Sequence, residues 1–234
     1  MGSGCSKKTT DTTLALTPTT VSKPAPVPKT AECLKSVCVA YLKKLKLNIK
    51  YFNRKRNKCY CASCYDSTQP NVLTAANTKY TVPRGWVAFG IQVDNAFATS
   101  NKIFDNWYTT FFGTSKDKLE DIIRNRFIPF PGDHLLSGGT FVLNLPDQNH
   151  VYTSPSINYA SLEHVCPIDT MTIDGTSYDF QVVLQCKQNP ADVQKLRSGK
   201  PKVCKYLSDA DLQWKTDQRS SVVPTHLLIR AKKR

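Results

Sequence analysis

The sequence has few acidic residues and no long apolar run. Its 234 residues include 18 Asp and Glu against 32 Lys and Arg, which gives a formal net charge of +14 at pH 7. An excess of this size indicates a polyanionic partner, such as nucleic acid, anionic lipid or an acidic ligand. No stretch of 18 or more apolar residues occurs, so no transmembrane helix is predicted. The start of the chain also lacks the apolar segment of a secretory signal.

The basic charge is concentrated in one part of the chain. Residues 1–30 carry a net +3, residues 31–75 carry +7, and residues 76–234, the largest part, carry only +4. These boundaries also mark changes in composition. We therefore expect a tail over 1–30, a helix and cysteine-rich segment over 31–75, and one larger domain over 76–234.

The tail is rich in Thr, Ser, Pro and Lys and ends with the proline-rich stretch KPAPVPK. Such a composition buries too little apolar surface to offset chain entropy, so we expect disorder and an extended spacer. The chain starts MGSGCSKK, in which Gly2 and Ser6 fit the N-myristoylation pattern. Cys5 is placed for palmitoylation, and Lys7 and Lys8 add positive charge. The sequence thus predicts a cytoplasmic protein held peripherally on the inner face of a membrane.

Residues 31–47 have the periodicity of an amphipathic helix, and the segment KCYCASCY follows. Clustered cysteines in a cytosolic chain indicate a metal rather than disulfides. Cys59, Cys61 and Cys64 place three sulfurs on one tight turn, which suits a structural zinc ion. Cys38 is the first choice for the fourth ligand, because its helix is able to fold back onto the turn. The other candidates for this position are Cys33, Cys166 and His164, and the alternative interpretation is four unliganded thiols.

The cysteine turn also permits a nucleic-acid interpretation. Four basic residues precede it and four aromatic residues surround it: Arg54, Lys55, Arg56 and Lys58, with Tyr51, Phe52, Tyr60 and Tyr65. Such aromatic rings stack on bases in many nucleic-acid sites, but they also pack under small domains. We rank nucleic acid below the membrane as a partner.

From about residue 80 the pattern changes to short strands separated by turns. YTVPRGWVAFGIQV, WYTTFFGTS, YDFQVVLQCKQ and THLLIRAKK read as strands, and KDKLEDIIRNRF reads as a helix. The sequence therefore predicts an α+β fold with mostly β content.

The stretch WYTTFFGTSKDKLEDIIRNRFIPFPGDHLLSGG, followed by VYTSPSINYA, resembles ADP-ribosyltransferases of the poly(ADP-ribose) polymerase type. More narrowly, residues 31–234 are similar to the C-terminal domain of neuralized-like proteins. There, a C-x-C-x-x-C knuckle and a P-x-G-W-x-x-F strand precede the transferase core. Here the strand has Pro83, Gly85, Trp86 and Phe89. The resemblance implies a split β-sheet core that binds NAD and an unknown protein acceptor.

The resemblance also implies roles for individual residues. The backbone of Gly113, followed by Thr114, would hold the nicotinamide amide, and the missing Cβ would let the ligand come close. Ser156 would add a hydrogen bond to that amide. Tyr152 and Tyr159 would flank the nicotinamide ring, because aromatic faces suit a flat cation.

Two catalytic positions depart from the family pattern. The family's histidine aligns with Phe112, and its glutamate aligns with Gln213, so the triad reads Phe112, Tyr152 and Gln213. Neither replacement supplies a charge or a general base; Asp211 and Asp217 are nearby carboxylates. The resemblance thus implies at most mono-ADP-ribosylation, or no catalysis. The alternatives are a non-enzymatic interaction or NAD-sensing module and, less favoured, a nucleic-acid-binding zinc protein.

Overall fold

The computed structural model describes Met1 and residues 32–143, 147–198 and 202–234. The predicted acylation sites Gly2 and Cys5 lie outside these residues, as does the rest of the tail after Met1. Within the part that the structure describes, no helix has the length and apolar character needed to cross a membrane.

Five α-helices and eleven strands make up the described fold. The helices are α1 (Lys35–Lys44), α2 (Asn95–Ser100), α3 (Ile103–Asn106), α4 (Leu119–Asn125) and α5 (Ile157–Ala160). The strands are β1 (Lys58–Cys59), β2 (Val72–Ala75), β3 (Thr78–Thr81), β4 (Val87–Gly90), β5 (Tyr108–Gly113), β6 (Val151–Thr153), β7 (Asp169–Ile173), β8 (Thr176–Gln188), β9 (Gln194–Leu196), β10 (Gln213–Thr216) and β11 (Val222–Lys233). Short 3₁₀ helices cover Ile49–Tyr51, Arg54–Arg56, Lys116–Lys118, Pro190–Asp192 and Asp209–Asp211.

The strands form two main sheets and a hairpin, all antiparallel. The larger sheet has the order β1-β4-β11-β8-β5, and β7 also pairs with β8. The smaller sheet has the order β6-β10-β9, and β2 pairs with β3. The long strands β8 and β11 form the centre of the larger sheet. The prediction of an α+β fold with mostly β content is confirmed.

Helix α1 packs on one face of the larger sheet. The Tyr41 ring stacks on the Phe180 ring with 4.0 Å between centroids and 6° between planes. Both side chains are fully buried, and Cys38 is buried beside them. The amphipathic helix predicted over 31–47 is therefore present over Lys35–Lys44, and its apolar stripe belongs to the main core.

The predicted elements of the larger domain are also present. Helix α4 buries Leu119, Ile122 and Ile123, and the residue that caps its C-terminal end, Arg126, adopts the left-handed conformation with a φ of 65°. Three of the four predicted strands correspond to β5, β8 and β11. The fourth stretch is divided between β3 and β4 by a turn, and Gly85 in that turn has a φ of 82°, which only glycine adopts readily.

The turn between β3 and β4 holds the chain that follows the cysteines. The Arg84 guanidinium donates hydrogen bonds to the Tyr65 and Asp66 carbonyl oxygens at 2.9 and 3.0 Å. It also lies over the Tyr65 ring, 4.7 Å from its centroid. One side chain thus fixes the cysteine segment against the edge of the larger sheet.

Candidate functional site

Four cysteine sulfurs come together at the surface beside β1. The Sγ atoms of Cys33, Cys59, Cys61 and Cys64 all lie within 4.8 Å of one another. The Sγ–Sγ distances are 3.3 Å for Cys59–Cys61, 3.8 Å for Cys33–Cys59 and 3.9 Å for Cys33–Cys64. Four sulfurs at about 2.3 Å from a tetrahedral zinc ion lie roughly 3.8 Å apart. The cluster therefore has ligand types and spacings that are compatible with structural zinc.

The local chain explains this convergence. Cys59 ends β1, where it pairs with Val87 of β4. Cys61 accepts hydrogen bonds at its carbonyl from the backbone N–H groups of Cys64 and Tyr65, which closes the turn. Burial raises the pKa of Cys61, but hydrogen bonds from Ser63 and Cys59 outweigh it and lower the value to about 6. A thiolate, the form that binds zinc, is thus favoured there.

The choice of Cys38 as the fourth ligand is wrong. Its side chain is 1% exposed and contacts the Ile229 carbonyl oxygen at 3.7 Å, and burial raises its pKa to about 12. Cys38 lies on the same face of α1 as Tyr41, three residues later, so it points into the core. Cys33 precedes the helix and is free of this constraint. Cys166, also considered, is buried and donates to the Val182 carbonyl.

A cavity of about 450 Å³ opens between the end of β5, in the larger sheet, and strands β6 and β10 of the smaller sheet. It is lined by residues from β5, β6, α5, β10 and the segments between them. Six of the residues singled out in the sequence line it: Phe112, Gly113, Thr114, Tyr152, Tyr159 and Gln213. These residues are as far apart as 101 positions in the chain, and the fold brings them to one place.

The last residues of β5 line this cavity. Phe111 exchanges both of its backbone hydrogen bonds with Ser154, at 2.7 and 2.9 Å. Backbone groups of residues two apart in a strand point to the same side. The N–H and C=O of Gly113 therefore point to the same side of β5 as those of Phe111, which is the side that faces β6.

Gly113 is required by packing as well. A Cβ on Gly113 would lie 2.1 Å from the Ala160 carbonyl oxygen and 2.7 Å from a Val165 methyl carbon. A ligand is expected to come close to Gly113 because the residue lacks a Cβ. In the structure, the Ala160 carbonyl and the Val165 side chain occupy that close position.

The two tyrosines have different partners. The Tyr159 hydroxyl donates to the Gln213 side-chain oxygen at 3.3 Å. The Tyr152 hydroxyl donates to an Asp147 carboxylate oxygen at 2.5 Å, and the His150 ring lies 2.7 Å from the same oxygen. Burial and the Asp147 contact raise the pKa of Tyr152 to about 12. Bonds from Tyr152, the Asn149 backbone and His150 lower the pKa of Asp147 to about 2.

Asp147 is the cavity carboxylate that sequence reasoning missed. Asp211 and Asp217, the carboxylates considered from the sequence, do not line the cavity. In the sequence, Asp147 lies five residues before Tyr152, within the stretch PDQNH, whose residue types favour turns. This composition is the only local signal that the Asp147 side chain lies close to Tyr152 of β6. His164, considered as a metal ligand, also lines the cavity and is not part of the cysteine cluster.

Ser156 does not take the predicted place. It is fully buried, and its Oγ accepts a hydrogen bond from the Tyr159 backbone N–H at 3.4 Å, capping α5. Serine is a favoured residue at such a cap. Ser154 lines the cavity, and its Oγ accepts a hydrogen bond from the Ser156 backbone N–H at 3.0 Å.

Comparison of the chain with protein-family models and with curated proteins finds no match.

Proposed function

We propose that the cavity binds the nicotinamide part of NAD and that the chain is an ADP-ribosyltransferase-like protein, at most mono-ADP-ribosylating, tethered to the cytosolic face of a membrane through Gly2 and Cys5. One observation carries the cavity assignment: Gly113, Tyr152 and Tyr159, selected by resemblance alone, line the same cavity. Its volume of about 450 Å³ lies within the roughly 300–1,000 Å³ of small-molecule sites.

The chemistry of the lining suits an oxidised nicotinamide. The ring is flat and cationic, and the aromatic face of a tyrosine attracts such a ring. The backbone of Gly113 offers a donor and an acceptor for the amide. Asp147, whose low pKa keeps it ionised at neutral pH, adds a negative charge that favours the oxidised cofactor over the neutral, reduced one.

The same lining supports weak transfer at best. The transition state develops positive charge on the ribose, yet Phe112 and Gln213 supply neither an anion nor a base. The loss of one such electrostatic contact costs about 3 kcal/mol of activation free energy. Asp147 is a carboxylate, but its Oδ2 already accepts from Tyr152 and contacts His150. We therefore favour mono-transfer or binding without transfer over polymer elongation.

Calorimetric titration with NAD and with nicotinamide tests the cavity. We expect binding by the parent chain and about tenfold weaker binding by Tyr159→Ala, which removes one ring face. Tyr206→Ala is the matched control, because Tyr206 is 38% exposed and does not line the cavity. Absence of binding at millimolar ligand would exclude the transferase and the NAD-sensing candidates together.

The second candidate is an NAD sensor without transferase activity, and Phe112 in the cavity favours it. Incubation with labelled NAD separates the two. Label transferred to protein, and lost in Tyr152→Phe, identifies a transferase. Binding in the titration without any transferred label identifies the sensor.

We also propose that Cys33, Cys59, Cys61 and Cys64 hold one structural zinc ion. The support is the fit of their sulfur spacings to a tetrahedral site. Metal analysis of the purified protein should give one zinc per chain, retained in Cys38→Ser and lost in Cys33→Ser. A parent chain without zinc would identify the cluster as four free thiols.

A further inference from the structure

The segment that follows α1 exposes an isoleucine among lysines. The Ile49 side chain is 77% exposed, more than any other large apolar residue among the described residues apart from Met1. Lys46 and Lys50, on either side of it, are also exposed. A single exposed apolar side chain is ordinary on a protein surface, so the significance of Ile49 depends on its surroundings.

Those surroundings carry one sign of charge. Residues 43–58, which we call the basic loop, contain eight Lys and Arg and no Asp or Glu. All of the eight except Arg56 are exposed. The ion pairs found in the described part of the chain include none of them. The basic loop therefore exposes seven cations that take part in no ion pair among the described residues, and Ile49 lies among them in the sequence.

The exposure of Ile49 is built into the fold. Backbone hydrogen bonds fix the basic loop to the end of β4. The Asn53 N–H donates to the Gly90 carbonyl oxygen at 2.8 Å, and the Gln92 N–H donates to the Tyr51 carbonyl oxygen at 2.7 Å. The Asn48 side chain accepts from the Lys50 N–H at 3.0 Å and caps the short helix that carries Ile49. The isoleucine is thus held outward by a supported turn.

The positive potential extends into the neighbouring sheet. His226, on β11 beside β4, has its pKa lowered to about 4, first by burial and then by the charges of Arg56 and Lys58. Two cations of the basic loop therefore act on a half-buried residue of the neighbouring strand.

We propose that the basic loop is a membrane-contact surface, on which Ile49 enters the boundary between headgroups and acyl chains while the surrounding lysines bind anionic lipid phosphates. The cations alone would also suit nucleic acid, but a phosphodiester backbone offers no apolar site for Ile49. Lipid offers both partners. The inference rests on the proposed membrane location but not on the acyl chains. A single myristoyl chain binds a membrane with an association constant of only about 10⁴ M⁻¹, so stable binding needs a second signal, and the basic loop would supply it.

The test uses the full chain as Gly2→Ala, which cannot be myristoylated, in sedimentation with phosphatidylcholine vesicles with and without phosphatidylserine. We expect binding only to the anionic vesicles, weakened by salt. Ile49→Ser should lower the partition coefficient roughly tenfold. The double change Lys46→Gln and Lys50→Gln should lower it about 25-fold, at about fivefold for each lysine.

Matched controls lie elsewhere on the surface. Leu136→Ser removes another apolar side chain, which is 64% exposed, and Lys202→Gln with Lys205→Gln removes two other exposed lysines. Neither control should change the partition coefficient. Equal vesicle binding by the Gly2→Ala chain with and without the Ile49→Ser change would overturn the proposal.

Two further outcomes separate this proposal from membrane tethering itself. If the acylated chain binds vesicles and the Gly2→Ala chain does not, the basic loop is not a membrane contact although tethering stands. If neither binds, both proposals fail. Salt-sensitive binding of the Gly2→Ala chain to an oligonucleotide, without binding to vesicles, would assign the basic loop to nucleic acid and overturn the lipid assignment.

Discussion

The cysteine cluster and the cavity differ in how the chain assembles them. Three of the four sulfurs come from a six-residue stretch, and only Cys33 arrives from farther away, 26 residues before Cys59. The cavity takes Gly113 from β5, Tyr152 from β6, Tyr159 from α5 and Gln213 from β10. The cluster is thus mostly a local structure, while the cavity exists only when both sheets are in place.

This difference determines what each region depends on. A short loop converges its ligands at little cost in chain entropy, so a metal ion is able to stabilise it directly. The cavity depends on the packing of β5 against α5, where Gly113 meets the Ala160 carbonyl. Damage to the cluster should therefore leave the cavity intact, and damage at Gly113 should leave the metal site intact.

The largest expected effect is the loss of the proposed zinc. Cys59→Ser should abolish zinc binding and lower the free energy of unfolding by on the order of 5 kcal/mol, less than the roughly 10–16 kcal/mol of isolated zinc-finger peptides. The effect is smaller here because most of the core lies in the larger sheet. Thermal unfolding with and without a chelator measures it. An unchanged midpoint in both experiments would show that the cluster does not support the fold.

The same local character explains what the sequence predicted about the cluster. The spacing of Cys59, Cys61 and Cys64 is visible in the sequence, and these three sulfurs do meet. The fourth position depended on where α1 begins. The helix starts at Lys35, which leaves Cys33 outside it and places Cys38 beside Tyr41 in the core. Helix boundaries are the least certain part of any pattern-based prediction.

The cavity was predicted through the resemblance and not from periodicity. The alternating and helical patterns identified β5, β8, β11 and α4, but nothing in them shows that residues 113 and 213 line one cavity. Long-range pairing, such as β6 with β10, depends on packing of the whole chain. Neither the contact of Asp147 with Tyr152 nor the use of Ser156 as a helix cap follows from the sequence, because Asp147 lies outside any motif and Ser156 caps α5.

The next effect in size concerns Gly113. Gly113→Ala would place a methyl group 2.1 Å from the Ala160 carbonyl oxygen, so β5 or α5 must shift. We expect a loss of roughly 3 kcal/mol in the free energy of unfolding and a loss of NAD binding, with zinc content unchanged. Denaturant unfolding, metal analysis and calorimetry measure the three quantities.

Gly139→Ala is the control for this change, since a Cβ there meets no atom within 4 Å and its φ lies outside the left-handed region. It should cost less than about 0.5 kcal/mol. Loss of zinc in Gly113→Ala would contradict the independence of the two regions.

The pKa of His226 tests whether the charge of the basic loop acts on the larger sheet. The pKa of His226 is about 4 in the folded chain, against the usual 6.5 that applies to the unfolded chain. Between pH 4 and pH 6.5, His226 is therefore protonated more in the unfolded chain than in the folded chain. The stability contributed by neutral His226 is complete above about pH 6.5 and is lost as the pH falls toward 4. A pKa shift of this size corresponds to about 3 kcal/mol in the free energy of unfolding.

Denaturant unfolding across this pH range should show the decline in the parent and a flatter profile in His226→Gln. Lys58→Gln should raise the His226 pKa, as measured by NMR titration, because it removes one of the two positive charges. An unchanged pKa in Lys58→Gln would confine the influence of the basic loop to the surface.

The smallest effect is expected for the contact that joins the two sides of the cavity. The Tyr159 hydroxyl donates to Gln213 at 3.3 Å, a long bond between partly exposed groups. Tyr159→Phe keeps the ring and should lower the free energy of unfolding by less than about 1 kcal/mol. If the ring face provides the binding energy, NAD affinity should fall by no more than about threefold, against about tenfold for Tyr159→Ala. Equal losses in the two variants would show that the hydroxyl, and with it the link to Gln213, is what the ligand requires.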